Sequence, residues 1–240
     1  MIKKAPYRDS HGKLLSEYPQ PSVAVDTAVL TVHDGALHVV LVQNDTGWRL
    51  PGTFVHEGET LAQAVLRSLR EKAGIEGLQP RQLHVFDEPD RDDRGWVISV
   101  AHLVVVPEAS VAGAALTPVD AADGLVYDHG TIIQLAVDTL RAEYNVSPDP
   151  EVLLGAEFTL LELLRLHEAI AGERLGKDTF RRHMLGQLVE SGAYQQGVVG
   201  KPAKIYRRRS QSAPRPPSST PSARPSPRTD RDLARRGDRT

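Results

Sequence analysis

The chain has 240 residues, no cysteine, 40% apolar residues and a formal net charge of −2, which suits one or two packed domains and excludes disulfides, a thiol nucleophile and cysteine-ligated zinc. No apolar run approaches the roughly 20 residues of a membrane span, and the N-terminus has no signal-peptide apolar stretch, so a cytoplasmic protein that meets no membrane is expected. The small net charge hides a division: residues 1–156 carry 12 basic and 22 acidic side chains, whereas residues 157–240 carry 17 and 9. An acidic front half joined to a basic back half predicts a sensing or catalytic domain fused to a module that meets a polyanion.

Residues 1–20 are polar and without periodicity, and read as an N-terminal arm with little structure of its own. A folded domain is expected over residues 21–145. It opens with two strand-like runs, VAVDTAVLTV and ALHVVLVQ, separated by the hairpin signal Asp34-Gly35. Leu50 to Ile75 then reads as strand end, tight loop and capped helix. Thr60 and Gln63 have capping-box spacing, Leu61, Val65 and Leu69 recur at helical spacing, and Gly74 is a C-terminal stop. Ser68, Glu71 and Lys72 stand at i, i+3 and i+4, which predicts that they project together from the opposite face.

This stretch resembles the Nudix box, a Gly followed after five residues by Glu and after seven more by Arg-Glu-apolar-x-Glu-Glu-x-Gly-apolar. Glu59, Arg67, Glu71, Gly74 and Ile75 match, while Thr53 replaces the opening Gly, Ser68 the first helix Glu and Lys72 the last. The resemblance implies that the helix glutamates of family members hold divalent metal, which neutralises a pyrophosphate and activates water for hydrolysis of a nucleoside-diphosphate linkage. With two of the three carboxylates gone and one replaced by an ammonium, the expectation is a domain without catalytic residues, metal site or required cofactor. The alternative is that Glu59, Glu71 and carboxylates outside the box retain residual Mg²⁺ binding and slow turnover.

Two more strands are expected from QLHVF and WVISVAHLVVVP, joined by the charged loop DEPDRDDRG, and a helix over His129–Asn145 with Ile132, Leu135, Ala136 and Leu140 on one side. Strands with two unlike helices and no regular βαβ alternation predict an α/β class with a mixed sheet between helices. That agrees with the α/β/α sandwich the Nudix resemblance implies. The segment FDEPDRDDRGWVISVAH is similar to a stretch of ADP-ribose pyrophosphatases within that family, so Phe86, Arg91 and Arg94, with Glu71 and Lys72 from the box, are the expected ligand-binding residues. The forked guanidinium groups suit phosphate or ribose oxygens. The nine histidines show no metal-ligand spacing and are expected to be structural or exposed.

Residues 146–156, with Pro148 and Pro150, read as a linker. Beyond it, Thr159 and Glu162 form a second capping box, stapled by Phe158 and Leu163, and the helix FTLLELLRLHEAIAG ends at Gly172. A second helix is predicted over TFRRHMLGQLVES, with Phe180, Met184, Leu185 and Leu188 inward and Arg181 and His183 outward. GAYQQGVVGKPAKIYRRR follows as strand, Gly-rich turn and strand. Two helices and a basic hairpin over residues 157–209 make a winged helix-turn-helix domain, which places its second helix in the DNA major groove and its wing on the backbone. Arg174 to Arg209 contains nine basic residues and only two acidic ones, the footprint of a DNA-binding face. Lys177, Thr179, Arg181 and Arg182 on the helix and Lys201 and Lys204 on the wing are the expected contacts. Residues 210–240 are rich in Pro, Ser and Arg and are expected to be a disordered tail.

In this order, the degenerate box, the YPQPSVAVD stretch (Tyr18–Asp26), the charged loop, FTLLELLRLHEAI, KDTFRRHML and GKPAKIYR resemble the Nudix-related transcriptional regulators of the NrtR family. The resemblance implies a homodimeric repressor of NAD biosynthesis or salvage genes, joined through its Nudix domains. It would bind double-stranded operator DNA and sense ADP-ribose or a related NAD-derived nucleotide. The alternatives are an active ADP-ribose pyrophosphatase with an accessory nucleic-acid-binding domain, and a purely structural interaction protein.

Overall fold

The first two strands alternate side chains so completely that both faces of the sheet are apolar. β1 (Ser22–His33) pairs antiparallel with β2 (Ala36–Asn44), with His33 opposite Ala36. The two residues between them, Asp34 and Gly35, both take positive φ, 46° and 74°, the backbone twist of a type I′ hairpin. In β1, Ala28 and Leu30 face one core while Val25 and Val29 face another, as a period of two requires.

The computed structural model describes residues 7–195 and 202–209. The main sheet runs β3 (Gly47–Arg49), β2, β1, β6 (Val97–Val105), β5 (Arg81–Phe86), with β4 (Gly52–Phe54) paired to β1 and β7 (Ala115–Pro118) to β2. Only β1 and β6 are parallel; the other pairings are antiparallel, so the sheet is mixed. On one face lies α1 (Leu61–Ser68), which buries Val65 with Val25, Val29 and Val100. On the other lies α2 (His129–Val146), which buries Ile132, Ile133, Ala136, Val137 and Leu140 with Leu30 and Leu103. The α/β/α sandwich follows from a sheet with two apolar faces and no alternative cover.

The expected two-domain division is softer than the sequence suggests. α3 (Leu160–Ala171) starts on its capping box: Thr159 Oγ1 accepts from Glu162 N at 3.2 Å, and Glu162 Oε2 accepts from Thr159 N at 2.7 Å. It packs Leu163 and Leu164 against α4 (Lys177–Met184), yet Leu166 and Ile170 belong to the same core as α2 and the main sheet. A small second sheet, β8 (Phe158–Thr159), β10 (Lys204–Arg208), β9 (Leu188–Tyr194), completes this half.

Several local expectations are corrected. The helix predicted through Ser191 ends at Met184, because Leu188 and Val189 pair with Arg208 and Arg207 in β9–β10; cross-strand pairing overrides a helical pattern. Leu185 and Leu135 are only partly buried. The arm is not featureless over its described part: Asp9 accepts from His11 N and Lys13 N, both at 2.9 Å, and from the Tyr18 hydroxyl. The linker region is pinned by buried Asp149. Its carboxylate accepts from Tyr144 Oη at 2.7 Å, from Leu153 N and Leu154 N at 2.9 Å each, and from Arg208. The predicted wing turn, with Lys201, and the predicted tail lie outside the described residues.

Candidate ligand pocket and nucleic-acid interface

The loop between β4 and α1 is fixed by one ion pair. Arg67 Nε and Nη2 donate to the two oxygens of Glu59 at 2.9 and 2.8 Å, Nη1 reaches Thr53 Oγ1 at 3.2 Å and Nη2 also reaches Phe54 O at 2.9 Å. The Arg67 fork holds the Glu59 carboxyl down at about 2. α1 itself begins on the predicted box, with Gln63 N donating to Thr60 Oγ1 at 3.3 Å and Thr60 N to Gln63 Oε1 at 2.8 Å. It does not continue as an α-helix. Leu69–Ala73 is a π turn, closed by Gly74 at φ 67°. A π turn inserts an extra residue into the helical register, and the predicted grouping of Ser68, Glu71 and Lys72 does not form. Ser68 lies on the buried side of α1 with Ala64 and Val65, its hydroxyl without a partner among the described residues. Glu71 is exposed at 53%, beside Arg67 and Arg70. Lys72 alone reaches over the sheet, donating to Gly52 O.

There it meets a cavity of about 130 Å³ lined by Asp26, Arg49, Gly52, Phe54, Arg91, Arg94, Tyr127 and His129 among others. Its floor is built around Asp26, the one acid inside the apolar run of β1. Ser99 Oγ donates to it at 2.5 Å, and His129 Nε2 lies 3.3 Å from its other oxygen. Leu50 N donates to His129 Nδ1 at 3.1 Å, so that nitrogen is unprotonated and the ring proton sits on Nε2, toward Asp26. Burial alone would raise the Asp26 carboxyl, but His129, Ser99 and the Arg91 charge together outweigh it and hold it below its ordinary value. Gly52 is required beside it: a Cβ there would stand 1.9 Å from Asp26 Oδ1 and 2.9 Å from Val25 O.

The walls are arginines already engaged. Arg91, only 5% exposed, pairs both arms of its fork with Asp128 at the start of α2. Arg94 bonds Asp92 through Nε at 2.8 Å and Nη2 at 2.7 Å, and its guanidinium stacks over the Phe54 and Tyr127 rings at 5.1 and 4.9 Å. Those bonds hold the Asp92 carboxyl below its usual range. Tyr127 has φ 55°, an uncommon conformation for a bulky residue that marks a fixed position. Of the expected ligand residues, Arg91, Arg94 and Lys72 therefore meet at one pocket, though the two arginine forks face acids of the chain itself. Phe86 and Glu71 do not reach it: Phe86 packs at the edge of the α2-side core against His84. A larger cavity, about 560 Å³, lies between the β1–β2 turn, α2 and α3, with arginines and acids intermixed and Arg174 tied to Glu168.

On α4, Lys177, Thr179, Arg181 and Arg182 are all exposed. Among the described residues none of these three cations forms an ion pair with a side chain; Arg182 Nε reaches only Asp178 O, at 3.4 Å. The wing strand differs. Lys204 is gripped by Glu190 at 2.8 and 2.9 Å, Arg207 by Glu157 at 2.9 Å, and Arg208 by Asp149. The predicted contact at Lys204 is thus partly neutralised within the hairpin. His183 is exposed, as expected, and its Nε2 donates to Asn145 O at 3.0 Å, which ties α4 to the end of α2.

Residues 22–134 match the NUDIX domain family, and residues 151–208 match the NrtR DNA-binding winged helix domain. The ADPR responsive transcriptional repressor NtrR of Acinetobacter baylyi is 31% identical over 209 residues, which span 80% of this chain and 84% of that protein. The chain belongs to the NrtR family of Nudix-related transcriptional regulators. A crystal structure of Shewanella oneidensis NrtR complexed with a 27mer DNA superimposes with a TM-score of 0.63 at 31% identity, covering 78% of this chain and 93% of that one. An ADP-ribose pyrophosphatase of Methanocaldococcus jannaschii is 32% identical over 124 residues, 50% of this chain and 70% of the enzyme.

Against the hydrolases, the NrtR-type pocket here fits a divalent metal poorly. Two of the three helix carboxylates are absent, Glu71 faces solvent and Lys72 brings an ammonium to the mouth. Among the described residues no three His, Asp or Glu side chains gather where they could hold a metal ion. Sequence reasoning missed Asp26, Arg49, Asp128 and His129. The signal for Asp26 is a lone carboxylate in an otherwise buried strand; for His129 the spacing carries no signal, and only the packing of α2 against β1 brings the two together.

Proposed function

We propose that this protein is a DNA-binding transcriptional repressor of NAD biosynthesis or salvage genes whose Nudix domain senses ADP-ribose or a related nucleotide without hydrolysing it. The observation that carries this reading is a single substitution in place: the position that would bring a metal-binding carboxylate to the pocket brings Lys72 instead. The exposed cations of α4 and the similarity to an ADPR responsive repressor support the DNA-binding half. The effector acts by linkage: it must bind the off-DNA arrangement of two winged helices more tightly than the on-DNA arrangement. A dimer joined through the Nudix domains would set the spacing of two half-sites.

Fluorescence anisotropy tests this on DNA from the protein's own upstream region, with ADP-ribose titrated at fixed salt. Selective binding released by ADP-ribose is the expected result. Binding without selectivity removes the repressor. The match to a pyrophosphatase motivates the second reading, an active hydrolase, for which product release with Mg²⁺ or Mn²⁺ is the readout. Restoring the box at both positions is a poor control, because Ser68→Glu would place a carboxylate at a site only 1% exposed, a burial that opposes folding. Lys72→Glu alone is the informative variant.

A further inference from the structure

Four cations line the pocket, and they fall into two classes. Arg91 and Arg94 are neutralised by Asp128 and Asp92. Arg49 and Lys72 are not: among the described residues no carboxylate lies within ion-pair distance of either. Arg49 donates to Thr46 Oγ1 through one arm, and its Nε is enclosed with no acceptor among the described residues. Lys72 donates to a backbone carbonyl, Gly52 O. Partial burial and the neighbouring Arg49 charge push the Lys72 ammonium below its ordinary value, outweighing the opposite pull of the Asp26 and Glu71 carboxylates. A donor enclosed without a partner is costly, and an anion entering the mouth of the pocket would complete it.

We infer that Arg49 and Lys72 are a built-in pair of cations that takes the diphosphate of the effector in place of a divalent metal, so that this pocket binds a nucleoside diphosphate metal-free. This rests on reading the pocket as the effector site and adds the chemistry by which it works. Two fixed positive charges equal the charge that one divalent cation would supply. The paired arginines then serve as walls, with Arg94 held flat between Phe54 and Tyr127, and Asp26 and His129 form the floor. The cavity, about 130 Å³, is well below the roughly 300–1,000 Å³ of pockets that enclose a whole ligand. It therefore holds the phosphates, and the rest of the nucleotide extends over the Phe54–Tyr127 rim.

Isothermal titration calorimetry of the full chain with ADP-ribose and, separately, with inorganic pyrophosphate tests the pair. Each titration is run in EDTA and again in Mg²⁺. The expected result is ADP-ribose affinity in EDTA within about twofold of that in Mg²⁺, a loss of about 10- to 100-fold in Arg49→Met and Lys72→Met, and Mg²⁺-dependent binding in Lys72→Glu. Loss of wild-type binding in EDTA, or wild-type affinity in both Met variants, overturns the proposal. Because either variant alone could disturb the loop, anisotropy on operator DNA without effector, unchanged in both, reports intact folding. If ADP-ribose fails to bind but pyrophosphate binds in EDTA and needs both cations, the diphosphate pair stands and the effector assignment falls. If neither ligand binds, both fall.

Discussion

α2 carries a buried aspartate system at each end, and the two are built to different completeness. At its C-terminal end Asp149 is closed: a hydroxyl, two backbone N–H groups and the Arg208 guanidinium use up its oxygens. Tyr144 and His167 stack edge-on beside it, ring centroids 5.1 Å apart, and His167 Nε2 donates to Pro148 O at 2.6 Å. At its N-terminal end Asp26 receives only Ser99 and His129, and it borders a cavity. A buried carboxylate with every lone pair answered is a fastening. One left with capacity beside unmatched cations is a place where something else binds. The 18 residues of α2 join them, a rod of roughly 27 Å at 1.5 Å per residue, and His183 on α4 touches its far tip.

Asp149→Ala should have the largest effect, since it leaves the Arg208 charge, the Tyr144 hydroxyl and two N–H groups without a partner in the interior. A loss of about 3–5 kcal/mol in urea denaturation is expected; a loss below 1 kcal/mol would dissolve the distinction between the two ends. Asp26→Asn should cost less, about 1–3 kcal/mol, while abolishing release of DNA by ADP-ribose at concentrations that saturate the wild type. Retained release in that variant would move the effector elsewhere.

On the DNA face, Arg181→Ala should weaken operator binding by about 1–3 kcal/mol and Lys177→Ala should lower the salt slope by about one. Lys204→Ala, whose ammonium already faces Glu190, should change either by much less; equal effects at all three would mean that the hairpin releases Lys204 on DNA. The smallest effect expected is a pH one. Glu59 titrates at about 2 instead of the ordinary 4.5, so its contribution is present above the ordinary value and fades as pH falls toward 2. Thermal midpoints measured from pH 5 to 2 should therefore drop more steeply in the wild type than in Glu59→Gln.

What the sequence made legible was local. The Asp34-Gly35 hairpin and both capping boxes depend on residues at most three apart, and each is found where its spacing puts it. The sheet's two-sided burial also follows from continuous apolar runs. What stayed hidden depends on partners distant in the chain. The Arg91 fork reads as a phosphate binder until Asp128, 37 positions on, is seen to occupy it. The end of α4 reads as helix until β10 arrives to pair with it. Ser68, four and three positions after Ala64 and Val65, shares their buried side of α1; what leaves no trace in the spacing is the π turn at Leu69–Ala73, which parts Glu71 and Lys72 from it.

The sharing of one core by α3 and the Nudix sheet, through Leu166 and Ile170, has a mechanical consequence. A DNA-reading head hung on a flexible tether would tolerate extra base pairs between half-sites, because the tether would absorb them. A head welded by buried leucine and isoleucine cannot swivel freely. One inserted base pair displaces a half-site by about 3.4 Å along the duplex and, at roughly 10–10.5 base pairs per turn, rotates it by about 35°. In the dimer proposed above the protein would act as a caliper, set to one operator length, and an effector would need only to alter the gap between its jaws.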